Sequence, residues 1–261
     1  MGTSAPVSFK RFDCDAKNVK QAKEQLVLAN RILALEGVLE ALGHVSIRNP
    51  DNPDTFLQSR SIAPEFVTMD DIIEIALDGS VVVGIEGKPP YGERVLHAAV
   101  LETRRDINCV FHGHPLPIIP FSVCKDMPLK PVMNYGAIFY NGFGYFDDSD
   151  VSSGTIILSR EEGDRVARSL EDKFACILRG HGLVTVAENI PQLIVDTILL
   201  IKNAEVQLQI EATGKEPKIH TVEEGRAYRK KMHGENSLVR CWDYYVRRAK
   251  IAMGDLDDLE C

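Results

Sequence analysis

Two histidines separated by one residue, His112 and His114, follow the apolar run from Ile107 to Phe111 and precede Pro115. In extended backbone residues i and i+2 project to the same side, so both imidazoles can reach a single ion. A third histidine, His181, sits between Gly180 and Gly182, again directly after an apolar run, Ala175 to Leu178. The glycines permit a sharp turn there and a close ligand approach. Three neutral imidazoles with coordination positions left open describe a catalytic rather than a structural divalent-metal site. Imidazole accepts Zn²⁺, Mn²⁺ and Fe²⁺ alike, so the donor type does not choose among them. The plainer reading, loop histidines with a chance H-x-H, stays open here because so short a motif recurs often.

A carboxylate is within reach of such an ion. Glu93 lies near the start of a helical segment, Gly92 to Arg105, that ends just before the H-x-H strand. His97 falls four residues later on the same helical face and is expected to support Glu93. On residues alone, Glu93 equally reads as a helix N-terminal carboxylate favoured by the dipole.

These residues need elements to hold them, and the pattern supplies them. Apolar positions from Asn18 to Gly37 recur at helical spacing. Short strands are expected at 43–48, 55–58, 72–77 and 81–83, with Asn49 to Asp54 as a turn cluster. Ser159 and Glu162 form a capping box for a helix reaching Asp172, which feeds strands at 175–178 and 183–187. A long helix spans Pro191 to Glu211, and a charged helical tail runs from Glu223 to Lys250. Residues 1–16 read as a flexible arm, 17–215 as one catalytic domain, and 216–261 as a helical extension placed at a subunit interface.

Composition narrows the function further. A net charge of −8 argues against nucleic acid, whose phosphates require clustered Lys and Arg. No apolar run of roughly 18 residues is present to span a membrane, and the segment from Met1 to Pro6 lacks the apolar stretch of a secretory signal. The six cysteines show no CxxC pair, so a reduced, cytoplasmic setting is expected.

In order along the chain, Gly43-His44-Val45-Ser46-Ile47-Arg48, Glu93 with His97, the stretch from Arg105 to His114, and Gly180-His181-Gly182-Leu183-Val184 resemble the class II aldolase/adducin family over roughly residues 20 to 215. The resemblance implies a single-domain, three-layer α/β/α fold with a central, largely antiparallel sheet. It implies that His112, His114 and His181 bind the metal and that Glu93 is the acid/base. It also implies a homotetramer with active sites at subunit boundaries, where Tyr135, Tyr140, Tyr244 and Tyr245 are candidates to complete a neighbour's pocket.

Departures from the family pattern point to a branch. Phosphate-using members resemble Gly-Asn, Thr-Gly and Ser-Ser where this chain has Gly43-His44, Ser59-Arg60 and Tyr91-Gly92. A guanidinium fork suits a planar carboxylate, and Tyr91 can stack on a flat ring. With Ser59 to Glu65, Lys130 to Asn134 and Leu178-Arg179-Gly180-His181, the chain resembles the decarboxylases of dihydroxyphthalate, hydroxymethylpyridine-dicarboxylate and carboxy-hydroxymuconate semialdehyde. The substrate contacts expected on that basis are Arg60, Ser59, His44, Tyr91 and Arg179. The plainer readings are ion pairs for the two arginines and a backbone-satisfied loop histidine for His44. The implied reaction is metal-dependent C–C cleavage of a small carboxylic acid through a stabilised enolate. Decarboxylation, aldol cleavage and a non-catalytic adducin-like binding role are the three alternatives.

Overall fold

The computed structural model describes residues 14–254, 256 and 259. Most of the expected arm, residues 1–13, lies outside them. Cys14 and Ala16, at the arm's other end, pack against the core, and Asp15 accepts from the Asn189 amide at 3.2 Å.

The elements run α1 (Val19–Leu35), β1 (His44–Arg48), β2 (Thr55–Ser59), β3 (Ile72–Ala76), β4 (Val81–Val83), α2 (Arg94–Thr103) and β5 (Cys109–Gly113). They continue through α3 (Ile119–Val123), α4 (Asn134–Ala137), β6 (Gly144–Phe146), α5 (Arg160–Leu170), β7 (Ala175–Leu178), β8 (Gly182–Ala187), α6 (Ile190–Glu211), α7 (Val222–Met232) and α8 (Glu235–Met253). The strands form one sheet in the order β4-β3-β2-β1-β5-β8-β7-β6. Every pairing is antiparallel except β6 with β7.

The two faces of this sheet are covered by different helices, giving the expected three layers. On one face α1, α6 and α8 bury Leu26, Ile32, Leu193, Leu200 and Trp242 against Val45, Ile47 and Phe111. On the other, α2 and α5 bury Leu96, Val100, Val166 and Leu170 against Phe56, Ile75 and Val110. The split follows from period-two alternation, since successive strand residues face opposite layers. Each fully buried Leu or Ile contributes about 1.5–3 kcal/mol.

Helix ends form where the sequence places cap residues. Asn18 accepts from the Gln21 amide at 3.0 Å, and Ser159 with Glu162 closes the expected capping box. The tail from Glu223 to Lys250 is two helices rather than one. Gly234 N-caps α8, and the Asp196 carboxylate of α6 takes His233 at 2.9 Å and Arg229 at 3.2 Å, pinning the corner. Trp242, Tyr245 and Ala249 of α8 share the core of α1 and α6.

One buried cation ties the site-bearing strands together. Arg48 donates to the carbonyls of Pro53 (2.8 Å), Leu101 (2.7 Å) and Ile107 (3.2 Å), closing the C-terminal end of α2. Charge-assisted bonds contribute about 1.5–3 kcal/mol each, and carbonyls left bare cost more. Arg48→Met is therefore expected to lower stability by about 3 kcal/mol, read as a drop in urea midpoint at unchanged slope.

Candidate active site

β5, at the middle of the sheet, carries His112, and His114 follows its last residue. His112 faces His44 across β1 and Val184 across β8. Two glycines make this approach possible. Gly43 takes φ +106°, and a Cβ there would lie 2.9 Å from the His112 carbonyl oxygen. A Cβ on Gly182 would lie 2.2 Å from the Gly113 carbonyl oxygen and 3.0 Å from the His114 ring. A side chain at either position would push apart the strands that bring the histidines together.

Glu93 N-caps α2, but its carboxylate makes no capping bond. It turns into the histidines instead: Oε2 lies 3.3 Å from His112 Nε2 and 3.9 Å from His44 Nε2, while Oε1 lies 3.5 Å from His181 Nε2. The Ile157 amide donates to Oε1 at 3.1 Å. Glu93, His112, His114 and His181 each offer one donor atom within 4.8 Å of the others.

The donor set fits a divalent cation. The Nε2 atoms of His112 and His114 are buried with no hydrogen-bond partner, an arrangement that costs free energy unless something else meets them. His112 Nδ1 lies 3.2 Å from the Leu183 carbonyl oxygen. That oxygen can only accept, so the proton sits on Nδ1 and the Nε2 lone pair faces the centre. Imidazole nitrogens with a carboxylate alongside are suitable ligands for zinc, manganese or iron.

Electrostatics hold the ring nitrogens in the coordinating state. Burial pushes His114 and His181 down to about 4, so both are neutral near pH 7. Burial raises the Glu93 carboxyl, but the imidazoles, His112 first, outweigh it and hold the group well below the usual carboxylate range. The resting group is therefore ionised and serves first as a base. A pH effect follows. Between 6.5, the unfolded value, and about 4 the unfolded chain binds more protons than the folded one. The folded state therefore loses stability as pH falls through that window. For metal-free protein the denaturation midpoint is expected to fall from pH 7 to pH 5, and to fall less when His114 and His181 are both glutamine.

Glu93, His114 and His181 form the floor of a cavity of about 420 Å³, with His112 buried behind them. Its walls are His44, Tyr91 and three residues the sequence did not single out: Leu42, Ile156 and Leu158. A larger open groove of about 630 Å³ along β6 carries Arg165, Arg168 and Lys173 but no histidine.

The other expected contacts divide. Tyr91 packs on the His44 ring at 4.5 Å, and its hydroxyl bonds to the Ile62 backbone. Ser59 is wholly buried beside that phenol. Arg60 is not among the cavity walls; its Nε donates to Asp71 at 2.7 Å and its Nη1 to the Ser61 carbonyl at 3.2 Å. Arg179 pairs with Asp147 at the surface. His97 meets His44 and Ser46 rather than Glu93, because its ring points from α2 onto β1. Tyr135, Tyr140, Tyr244 and Tyr245 lie outside the cavity walls of their own chain.

The chain is 24% identical over 241 residues to the decarboxylase tropJ of Talaromyces stipitatus, covering 84% of this chain and 90% of that protein. It is 28% identical over 201 residues to the 3,4-dihydroxyphthalate decarboxylase of Arthrobacter keyseri, covering 74% and 80% respectively. The structure superimposes on the L-fuculose 1-phosphate aldolase of Glaciozyma antarctica with a TM-score of 0.76 at 25% identity, over 90% of this chain and 91% of that one. Residues 24–208 match the family described as Class II Aldolase and Adducin N-terminal domain, and the chain belongs to that family.

Proposed function

We propose that the protein is a divalent-metal-dependent lyase that decarboxylates a hydroxylated aromatic or muconate-like acid. Supporting this is an apolar cavity wall (Leu42, Ile156, Leu158 and Tyr91) over an imidazole–carboxylate floor. Such walls suit a flat, unsaturated substrate better than a phosphosugar. His112, His114 and His181 would hold the ion, zinc or manganese with iron as a third candidate. When bound, that ion supplies Lewis acidity to the oxygen beside the breaking bond.

The chain's own groups handle the proton. Glu93, ionised at rest, takes the proton of the substrate hydroxyl. Glu93 delivers that proton to the carbon bearing the carboxylate, giving the keto tautomer. The C–C bond then breaks, carbon dioxide departs, and the bond's electron pair restores the ring or enolate. Ile157 N–H and the flanking imidazoles keep its carboxylate aimed. Tyr91 and His44 flank the substrate's flat face. Aldol cleavage would use the same residues, with an aldehyde leaving in place of carbon dioxide and Glu93 returning the proton to the carbon afterwards. In this reading the working form is a cytoplasmic homotetramer, with exposed Leu42 and Leu116 beside His114 covered by a neighbouring copy.

The test is a panel of ortho-hydroxy aromatic carboxylates and hydroxy-keto acids offered to metal-loaded protein. Release of carbon dioxide from the aromatic acids is expected. Aldehyde release without carbon dioxide would replace decarboxylation by aldol cleavage, and metal binding with no turnover of any acid would favour a binding domain.

A further inference from the structure

His97 is wholly buried and joins two side chains of β1. Its Nε2 lies 2.7 Å from His44 Nδ1 and its Nδ1 lies 2.7 Å from Ser46 Oγ. His44, 2% exposed, is packed under the Tyr91 ring with its remaining nitrogen, Nε2, directed toward Glu93. The three polar groups form a line that starts inside the protein and ends at the cavity.

The 2.7 Å contact between His97 Nε2 and His44 Nδ1 holds one proton between two ring nitrogens, and both rings are shut away from solvent, where an unpaired charge is costly. A neutral imidazole carries one N–H, so the line can run in only two directions. If protons pointed inward, His44 would present a lone pair to the ionised Glu93 carboxylate. The Ser46 hydroxyl would then accept from His97 and need a second acceptor for its own proton. If protons point outward, Ser46 O–H donates to His97 Nδ1, His97 Nε2–H donates to His44 Nδ1, and His44 Nε2–H faces the carboxylate. The outward direction leaves no hydroxyl proton stranded inside the protein and turns an N–H, not a lone pair, toward the carboxylate. At 3.9 Å that last N–H is too far from Glu93 to be spent on it.

We propose that Ser46 and His97 fix His44 as the Nε2–H tautomer, so that His44 is a preset hydrogen-bond donor to an anionic oxygen of the substrate. Ser46 and His97 are positioning residues, and His44 is the group that touches substrate. This rests on the lyase reading only for the nature of that oxygen, the departing carboxylate or the developing enolate. Preorganised donors of this kind contribute about 10²-fold or more to turnover.

The test is ¹⁵N spectroscopy of the zinc-loaded full chain labelled at histidine, with the His44 signal assigned through His44→Asn. Wild type is expected to carry its His44 proton on Nε2, and that proton is expected to shift when 2-hydroxybenzoate is added. His97→Gln keeps the pattern, because its amide donates to His44 while its carbonyl accepts from Ser46. His97→Leu loses it, and Ser46→Ala gives a milder loss if the leucine variant does not fold. On an acid that is turned over, His97→Leu is expected to lower kcat about 10²-fold with KM within a few-fold, and His97→Gln to restore most of it. A proton on His44 Nδ1 in wild type, no response to 2-hydroxybenzoate, or a glutamine variant no better than leucine would overturn the proposal. The expected spectra with no turnover of any acid would sustain this inference while removing the lyase reading.

Discussion

Replacing His112 by glutamine is expected to strip the divalent ion and lower turnover by about 10³-fold or more. His112 is the innermost donor, with no exposed surface and its Nδ1 held by the Leu183 carbonyl, so nothing can move in to replace Nε2. A Lewis acid contributes several kcal/mol to a step of this kind, and each ~1.4 kcal/mol is tenfold in rate. Metal content by elemental analysis and kcat on the best acid should fall together. Full activity in a protein shown to be metal-free would end the metal-dependent reading.

The second large effect is expected from Glu93→Gln. The amide keeps the shape and can still accept from Ile157 N–H, but it cannot take up a proton. General acid–base groups contribute roughly 10²–10⁴-fold; a loss in that range is expected in kcat while metal content stays at the wild-type level. The pH profile should also lose its acidic limb, because the group that must be ionised is gone. A glutamine variant that retains the ion and turns over normally would remove Glu93 from the proton path.

Much of this arrangement was legible in the sequence because it rests on short-range rules. The H-x-H pair, glycine-flanked His181 and Glu93 at a helix start are local signals, and the structure brings all four within 4.8 Å. Strand parity also places His44 and Ser46 on one face, although Ser46 is not among the expected site residues. Its cue was present, a hydroxyl two residues from a histidine in an alternating strand. What could not be read depends on long-range contacts. Whether His97 serves Glu93 or His44 turns on how α2 lies over β1. Whether Arg60 reaches the cavity turns on Asp71, eleven residues away. Ile156 and Leu158 sit in a stretch with no periodicity, held by Glu162 through the amides of Asp150 and Leu158. Likewise β6 has only three residues, too few to stand out from its surroundings.

The place of β5 in the sheet has a further consequence. Hydrogen-bonded on both edges, it is among the last backbone to exchange its amides with solvent, since interior strands open only with the whole fold. The cavity walls around Leu42 and Ile156 belong instead to connecting segments, which can be rebuilt without touching those strands. Selectivity and reactivity are therefore separable for an engineer: exchanging the two segments should redirect the protein to a new acid while its bond-breaking apparatus stays intact.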